Sequence, residues 1–166
     1  MAIGAGLALL AACDGWIENR AEMKQAPEYT ALTPGLLRGN MESTDYTAIV
    51  HILKGRVEGP RFMRRPVGYV SHIYQARVIE TFRGRRLEKI IFSVMADSDI
   101  DLILPDHPLI VSLCGAKDGL FYVPDNGYML PASASMTAAA RAFARMKKKA
   151  PPRKSTVSVC GTGTDE

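Results

Sequence analysis

Between residues 46 and 130 the apolar positions recur with a period of two, and after residue 131 with a period near 3.6. This divides the chain into a strand-forming body and a closing helix. Tyr46 to Glu58 (YTAIVHILKGRVE) is rich in β-branched residues and predicts a first strand, with Gly55 inside it marking a bulge or bend. Gly59-Pro60 and Pro66-Val67-Gly68 interrupt the pattern. Tyr69 to Phe82 predicts a second strand that sets Val70, Tyr74, Ala76, Val78 and Phe82 on one face, with His72 and Glu80 interrupting that face. Arg83-Gly84-Arg85-Arg86 turns the chain, and Lys89 to Ala96 predicts a third strand with Ile90, Phe92, Val94 and Ala96 facing one way. Leu109 to Cys114 is a nearly continuous apolar run, suited to a strand covered on both faces. Leu120 to Val123 and Tyr128 to Leu130 flank Pro124-Asp125-Asn126-Gly127, and an Asn-Gly step between short apolar runs predicts a hairpin.

Ser133 to Lys149 is Ala-rich and predicts a helix, with Ser133 or Ser135 as N-cap and lysines in the last turn complementing the dipole. Met136, Ala139, Ala140, Phe143 and Met146 form its apolar stripe, expected to be core contact. Pro151-Pro152 ends it, and the polar stretch after it has no apolar periodicity, so 150–166 is expected to be a disordered tail. From Asp14 to Ser43 the density of Pro and Gly predicts a tether or loosely packed lead-in.

Charge changes this picture little. The chain has 166 residues, 47% hydrophobic and 23% charged, which suits one domain with an ample core. Its net +4 is concentrated: Arg145, Lys147, Lys148, Lys149, Arg153 and Lys154 supply six charges within ten residues, leaving the remainder at −2. Near a membrane such a cluster would gain from anionic lipid, and an ordinary charged helix end explains it as well.

The N-terminus says most about location. Ala2 to Ala12 is an uncharged run of small and aliphatic residues, too short to span a bilayer as a helix and of the length of an export signal's core. Its ending, Leu10-Ala11-Ala12-Cys13, resembles the lipobox of bacterial lipoproteins. That resemblance implies cleavage before Cys13, a palmitate-type acyl anchor on Cys13, and Asp14 as second mature residue, which resembles the signal for retention at the periplasmic face of the inner membrane. Met1-Ala2-Ile3-Gly4 lacks the Lys or Arg that opens such signals, so either the true start lies upstream or residues 1–13 form an apolar helix. Cys114 and Cys160 then remain: either they pair in an oxidising compartment, or Cys114 is a buried thiol and Cys160 a free one.

A long bent first strand, VIETFRG at Val78 to Gly84, a third strand, and HPLIVSLCGAKDGLFYVPDNGYML at His107 to Leu130 together resemble the netrin-like domain. This is the small barrel of tissue inhibitors of metalloproteinases and related bacterial proteins. The resemblance covers roughly residues 46 to 146 and implies a mainly β, five-stranded, OB-like Greek-key barrel with one C-terminal α-helix. Eukaryotic members carry several disulfides, whereas here only Cys114 lies in the barrel segment. In the inhibitors a free N-terminal Cys chelates the target's zinc; an acylated Cys13 is closed to that role, so inhibition is not carried over.

Candidate chemistry is sparse. His51, His72 and His107 lack ligand spacing, so no metal and no cofactor are expected; His51 and His72 are expected on half-buried strand faces. Asp97, Asp99 and Asp101 alternate as in a calcium loop but lack its Gly and closing Glu, and predict an acidic solvated loop. Ser71 and Ser112 have no nucleophile context, and no enzyme is expected. Arg61-Phe62-Met63-Arg64-Arg65, joined by Arg83, Arg85 and Arg86, sits where OB folds bind ligands, and Arg beside Phe suits stacking on a base. The expectation is therefore a lipid-anchored envelope lipoprotein: 1–12 signal segment, 13–43 lipidated N-terminus and spacer, 44–149 barrel plus helix. It acts as a non-catalytic binding or scaffold domain with an envelope protein partner. The alternative is a cytoplasmic OB-fold protein binding nucleic acid, the less favoured partner.

Overall fold

The computed structural model describes residues 15–19, 23–26, 33–59, 68–115, 120–149 and 159–160, with the backbone alone for residues 33 and 147–149. Its elements in chain order are β1 (Ile17–Glu18), α1 (Thr33–Ser43), β2 (Tyr46–Glu58), β3 (Tyr69–Arg83), β4 (Lys89–Asp97), β5 (Leu109–Gly115), β6 (Phe121–Tyr122), β7 (Met129–Pro131) and α2 (Ala134–Lys149). β2, β3 and β4 form an antiparallel meander, β4 pairs in parallel with β6, β6 pairs with β5, and β5 returns to β2. Five strands thus close a barrel in the order 2-3-4-6-5, the OB-like arrangement. β1 and β7 are short additions outside the ring, and α2 closes the chain of elements.

Two apolar layers hold it. The barrel interior is filled by Tyr46, Ala48, Val50 and Ile52 of β2, Tyr74 and Ala76 of β3, Ile90 and Phe92 of β4, and Leu109, Val111 and Leu113 of β5. Outside the wall, Leu37 and Met41 of α1 and Met136 and Ala140 of α2 bury Ile49, Ile110 and Leu130. The alternation of β5 explains why its whole run is apolar: odd positions enter the barrel and Ile110 lies under the helices. Of the α2 stripe, Met146 is exposed while the other four positions join the outer layer. Ser133 is the N-cap, its Oγ accepting from the backbone N–H of Met136 at 3.3 Å.

Four local features differ from the sequence reading. First, the stretch expected as a loose lead-in contains α1. Leu37 is fully buried, Pro34 suits a first turn, and Arg83 of β3 donates to the carbonyls of Met41 and Glu42 at the helix end. Second, the Asn126-Gly127 turn joins strands that do not pair with each other. β6 lies against Cys114 and Gly115 and β7 against Leu109 to Val111, so the two are one partner of β5 interrupted by an excursion. Gly127 has φ +85° there, and its carbonyl accepts from Asn40 Nδ2 of α1 at 2.8 Å.

Third, the ladder of β2 with β3 shifts register between Ile49 and Val50, where Val50 faces Val78 and Ile49 faces Glu80. Ile79 is the extra residue, so beyond it the pleat inverts: Glu80 pairs with the outward-facing Ile49, and Phe82 joins the outer layer. A single face from Val70 to Phe82 therefore does not exist. Fourth, the bulge in β2 falls at Leu53, between the Ile52 and Lys54 pairs, and not at Gly55. Gly55 serves close approach instead: a Cβ there would meet the methyls of Leu102 and Leu104 at 3.0 and 3.1 Å.

Candidate functional site

A concavity lies beside the β2–β3 bulge. β4 pairs with β3 only from Tyr69 to Arg77, so past Val78 the second edge of β3 carries no strand. A cleft of about 530 Å³ opens there, floored by Val78, Phe82, Leu87 and Ala144 and rimmed by Arg86, Arg141 and Arg145. Because the bulge turns Glu80 outward, its carboxylate meets Arg141 of α2: Arg141 Nε donates to both oxygens at 3.1 Å and Nη2 to Oε2 at 2.7 Å. That contact raises the proton affinity of Arg141 and fixes α2 on the barrel. Neither Arg86 nor Arg145 has a carboxylate partner among the described residues. One carboxylate among three guanidinium groups leaves the cleft net positive, with a lining that is mostly polar. Such a site favours an acidic ligand.

A second constellation lies at the opposite end of β2. Trp16, just before β1, packs with Lys54 Nζ 4.7 Å and Arg56 Cζ 4.4 Å from its ring centre, and Arg56 is in turn held by Glu58. Asn19 fixes this corner, its Nδ2 donating to the carbonyls of Ile52 and Pro105 at 3.1 and 2.8 Å. Lys24 pairs with Asp106 at 2.7 Å, and Asp106 also meets His107 at 3.1 Å. The hydrogen bond from Lys24 and then that from His107 hold the Asp106 carboxyl below its ordinary value.

The structure joins Cys114 and Cys160 in a disulfide, 46 residues apart in sequence. Cys114 lies on the outer side of β5, and the Val159 amide donates to the Ser43 carbonyl at 3.2 Å, so the bridge lies at the end of α1. Of the expected tail 150–166, Val159 and Cys160 alone are described. Asp45, Cys114 and Cys160 are the one group of metal-capable atoms clustered among the described residues, and both sulfurs are engaged with each other.

Cys13 lies outside the described residues, as do Arg61, Phe62, Met63, Arg64 and Arg65 of the loop behind the nucleic-acid alternative. The side chains of Lys147, Lys148 and Lys149 are likewise outside. His51 and His72 are buried rather than half-buried. Burial, reinforced by the charge of Arg77, pushes the His51 imidazole below its ordinary value. Asp97, Asp99 and Asp101 are exposed and form no cluster. The sequence reading missed the cleft, whose one visible trace was a glutamate interrupting an apolar face. Trp16, the only tryptophan, lies in a segment whose Pro and Gly density predicts a spacer, with no signal of its own.

No protein-family model matches this chain, and a search of curated proteins finds no match.

Proposed function

We propose that the chain is an exported, lipid-anchored binding module of the cell envelope, tethered through Cys13, whose cleft between β3 and α2 receives an extended acidic segment of a protein partner. The observation that carries this is the Cys114–Cys160 disulfide, because such bonds persist in oxidising compartments and are rare in the cytosol. The Leu10-Ala11-Ala12-Cys13 ending supplies a route to that compartment. No helix among the described residues is long and apolar enough to cross a membrane, so attachment in this scheme falls to the acylated cysteine. The open β3 edge of the cleft offers backbone groups to an added strand while Arg86 and Arg145 select acidic side chains.

The test is metabolic labelling with a palmitate analogue in cells, comparing wild type with Cys13→Ala, combined with alkylation of free thiols in the same cells. Label lost in Cys13→Ala, with Cys114 and Cys160 protected from alkylation, is the expected result. Equal labelling of both forms, no labelling of either, or freely alkylated Cys114 and Cys160 would reject the proposal.

A further inference from the structure

The proposed anchor lies very close to the barrel wall. Cys13 precedes Gly15, the first described residue, by two positions, a reach of about 7 Å at full extension. From Ile17 onward the chain is hydrogen-bonded to β2 through the Ile17–Gly55 and Glu18–Lys54 pairs. An acyl chain on Cys13 therefore could not hold the domain away from a bilayer on a long tether. It would draw one corner of the barrel onto the lipid surface.

That corner has the composition of an interfacial surface. Ile17 stands opposite Gly55 and is 54% exposed; Val57, on the same side of β2, is 50% exposed. The coil carrying Leu102 and Leu104 lies against Gly55, and Ile103 between them is 68% exposed, the most exposed large hydrophobic among the described residues. On the other side of the same edge Trp16 lies with Lys54 and Arg56. A tryptophan with long cationic side chains beside it is the residue pattern that settles at the headgroup level. Among the described residues the charges of the corner cancel, Lys54 and Arg56 against Glu18 and Glu58, with Asp99 and Asp101 in the chain just before Ile103. The driving force these described side chains offer is burial of apolar surface.

We infer that the corner built from Trp16, Ile17, Val57 and Ile103 is a membrane-docking face, which lies in the lipid interface and fixes the orientation of the barrel. This inference rests on acylation of Cys13. It places the β3–α2 cleft away from the membrane: Ile79 lies five residues beyond Tyr74 along β3, about 17 Å at strand rise, on the far side from Gly55.

The test uses the full lipidated chain in phosphatidylcholine vesicles, with part of the lipid carrying brominated acyl chains that quench tryptophan at short range. Trp16 is the only native tryptophan, so Trp16→Phe gives a dark background. In that background Ile103→Trp reports on the proposed face and Ile79→Trp on the far end; both native residues are exposed, so neither substitution perturbs the core. The expected result is loss of emission from position 103 with none from position 79, unchanged when the salt concentration is raised. Equal quenching at both positions, or none at either while Cys13 carries its label, overturns the docking face and leaves anchoring intact. Absence of label on Cys13 overturns both. Quenching of native Trp16 by single-stranded oligonucleotide in place of lipid would assign the corner to nucleic acid and refute the inference.

Discussion

Asn40 Nδ2 donates to the Gly127 carbonyl at 2.8 Å, joining α1 to a turn 87 residues further along the chain. Asn40 is buried, and the bond pins the excursion between β6 and β7 under the helix. Asn40→Ala removes the donor and leaves the carbonyl of the exposed Gly127 to water, at a cost of about 0.5–1.5 kcal/mol. Urea unfolding should show a lower midpoint with an unchanged slope. An unchanged midpoint would mean that α1 does not hold the turn.

The Cys114–Cys160 bridge closes a loop with a sequence separation of 46 residues. Cys160→Ala should cost about 2–4 kcal/mol, chiefly by freeing the unfolded chain. Wild type in excess dithiol should lose the same amount, and the variant should be indifferent to reductant. A variant as stable as the oxidised wild type would show that the crosslink constrains nothing.

His51 gives a pH signature of definite sign. Burial first, then the charge of Arg77, holds its folded-state pKa below the ordinary value, so the unfolded chain binds the proton more readily than the folded one. Stability from this group is complete above about pH 6.5, the unfolded value, and is lost as pH falls towards the folded-state value. Wild type should therefore weaken on acidification below that point, and His51→Gln should lose part of the slope. Parallel stability curves for the two proteins would exclude His51 as the source.

Glu80 sets the charge of the cleft. Glu80→Gln releases Arg141, so a fluorescent polyglutamate peptide should bind more tightly than to wild type, and Arg86→Ala combined with Arg145→Ala should weaken it. Both effects should shrink as salt is raised, because the interaction is with exposed charges. Binding that ignores all three residues would remove the cleft from consideration.

Much of the barrel was legible because β2 to β5 carry their own signal. Alternation and β-branched residues mark each strand to within a residue at either end, and the Ser133 cap marks the start of α2. What was not legible depends on distant parts of the chain. α1 contains Pro34, Gly35, Gly39 and Asn40, poor helix formers whose helix survives because Leu37 and Met41 are buried and Arg83 caps its end. The Asn126-Gly127 step announced a turn correctly in its local chemistry, but β5 decided which strands would pair. Glu80 was visible as an anomaly; only the register of β2 against β3 turns it outward onto Arg141. A two-residue strand has no periodicity, so β1 and the placing of Trp16 beside Lys54 and Arg56 had no sequence signature at all.

The bridge between β5 and Cys160 also has a meaning during biosynthesis. By the time Cys160 emerges from the ribosome, every strand and helix among the described residues has already been made, so covalent closure comes after the last of them. A chain interrupted just past α2 would contain the whole barrel and still lack its lock. Oxidation of this pair, at the outer wall of β5, thus reports that the barrel strands and α2 have been made.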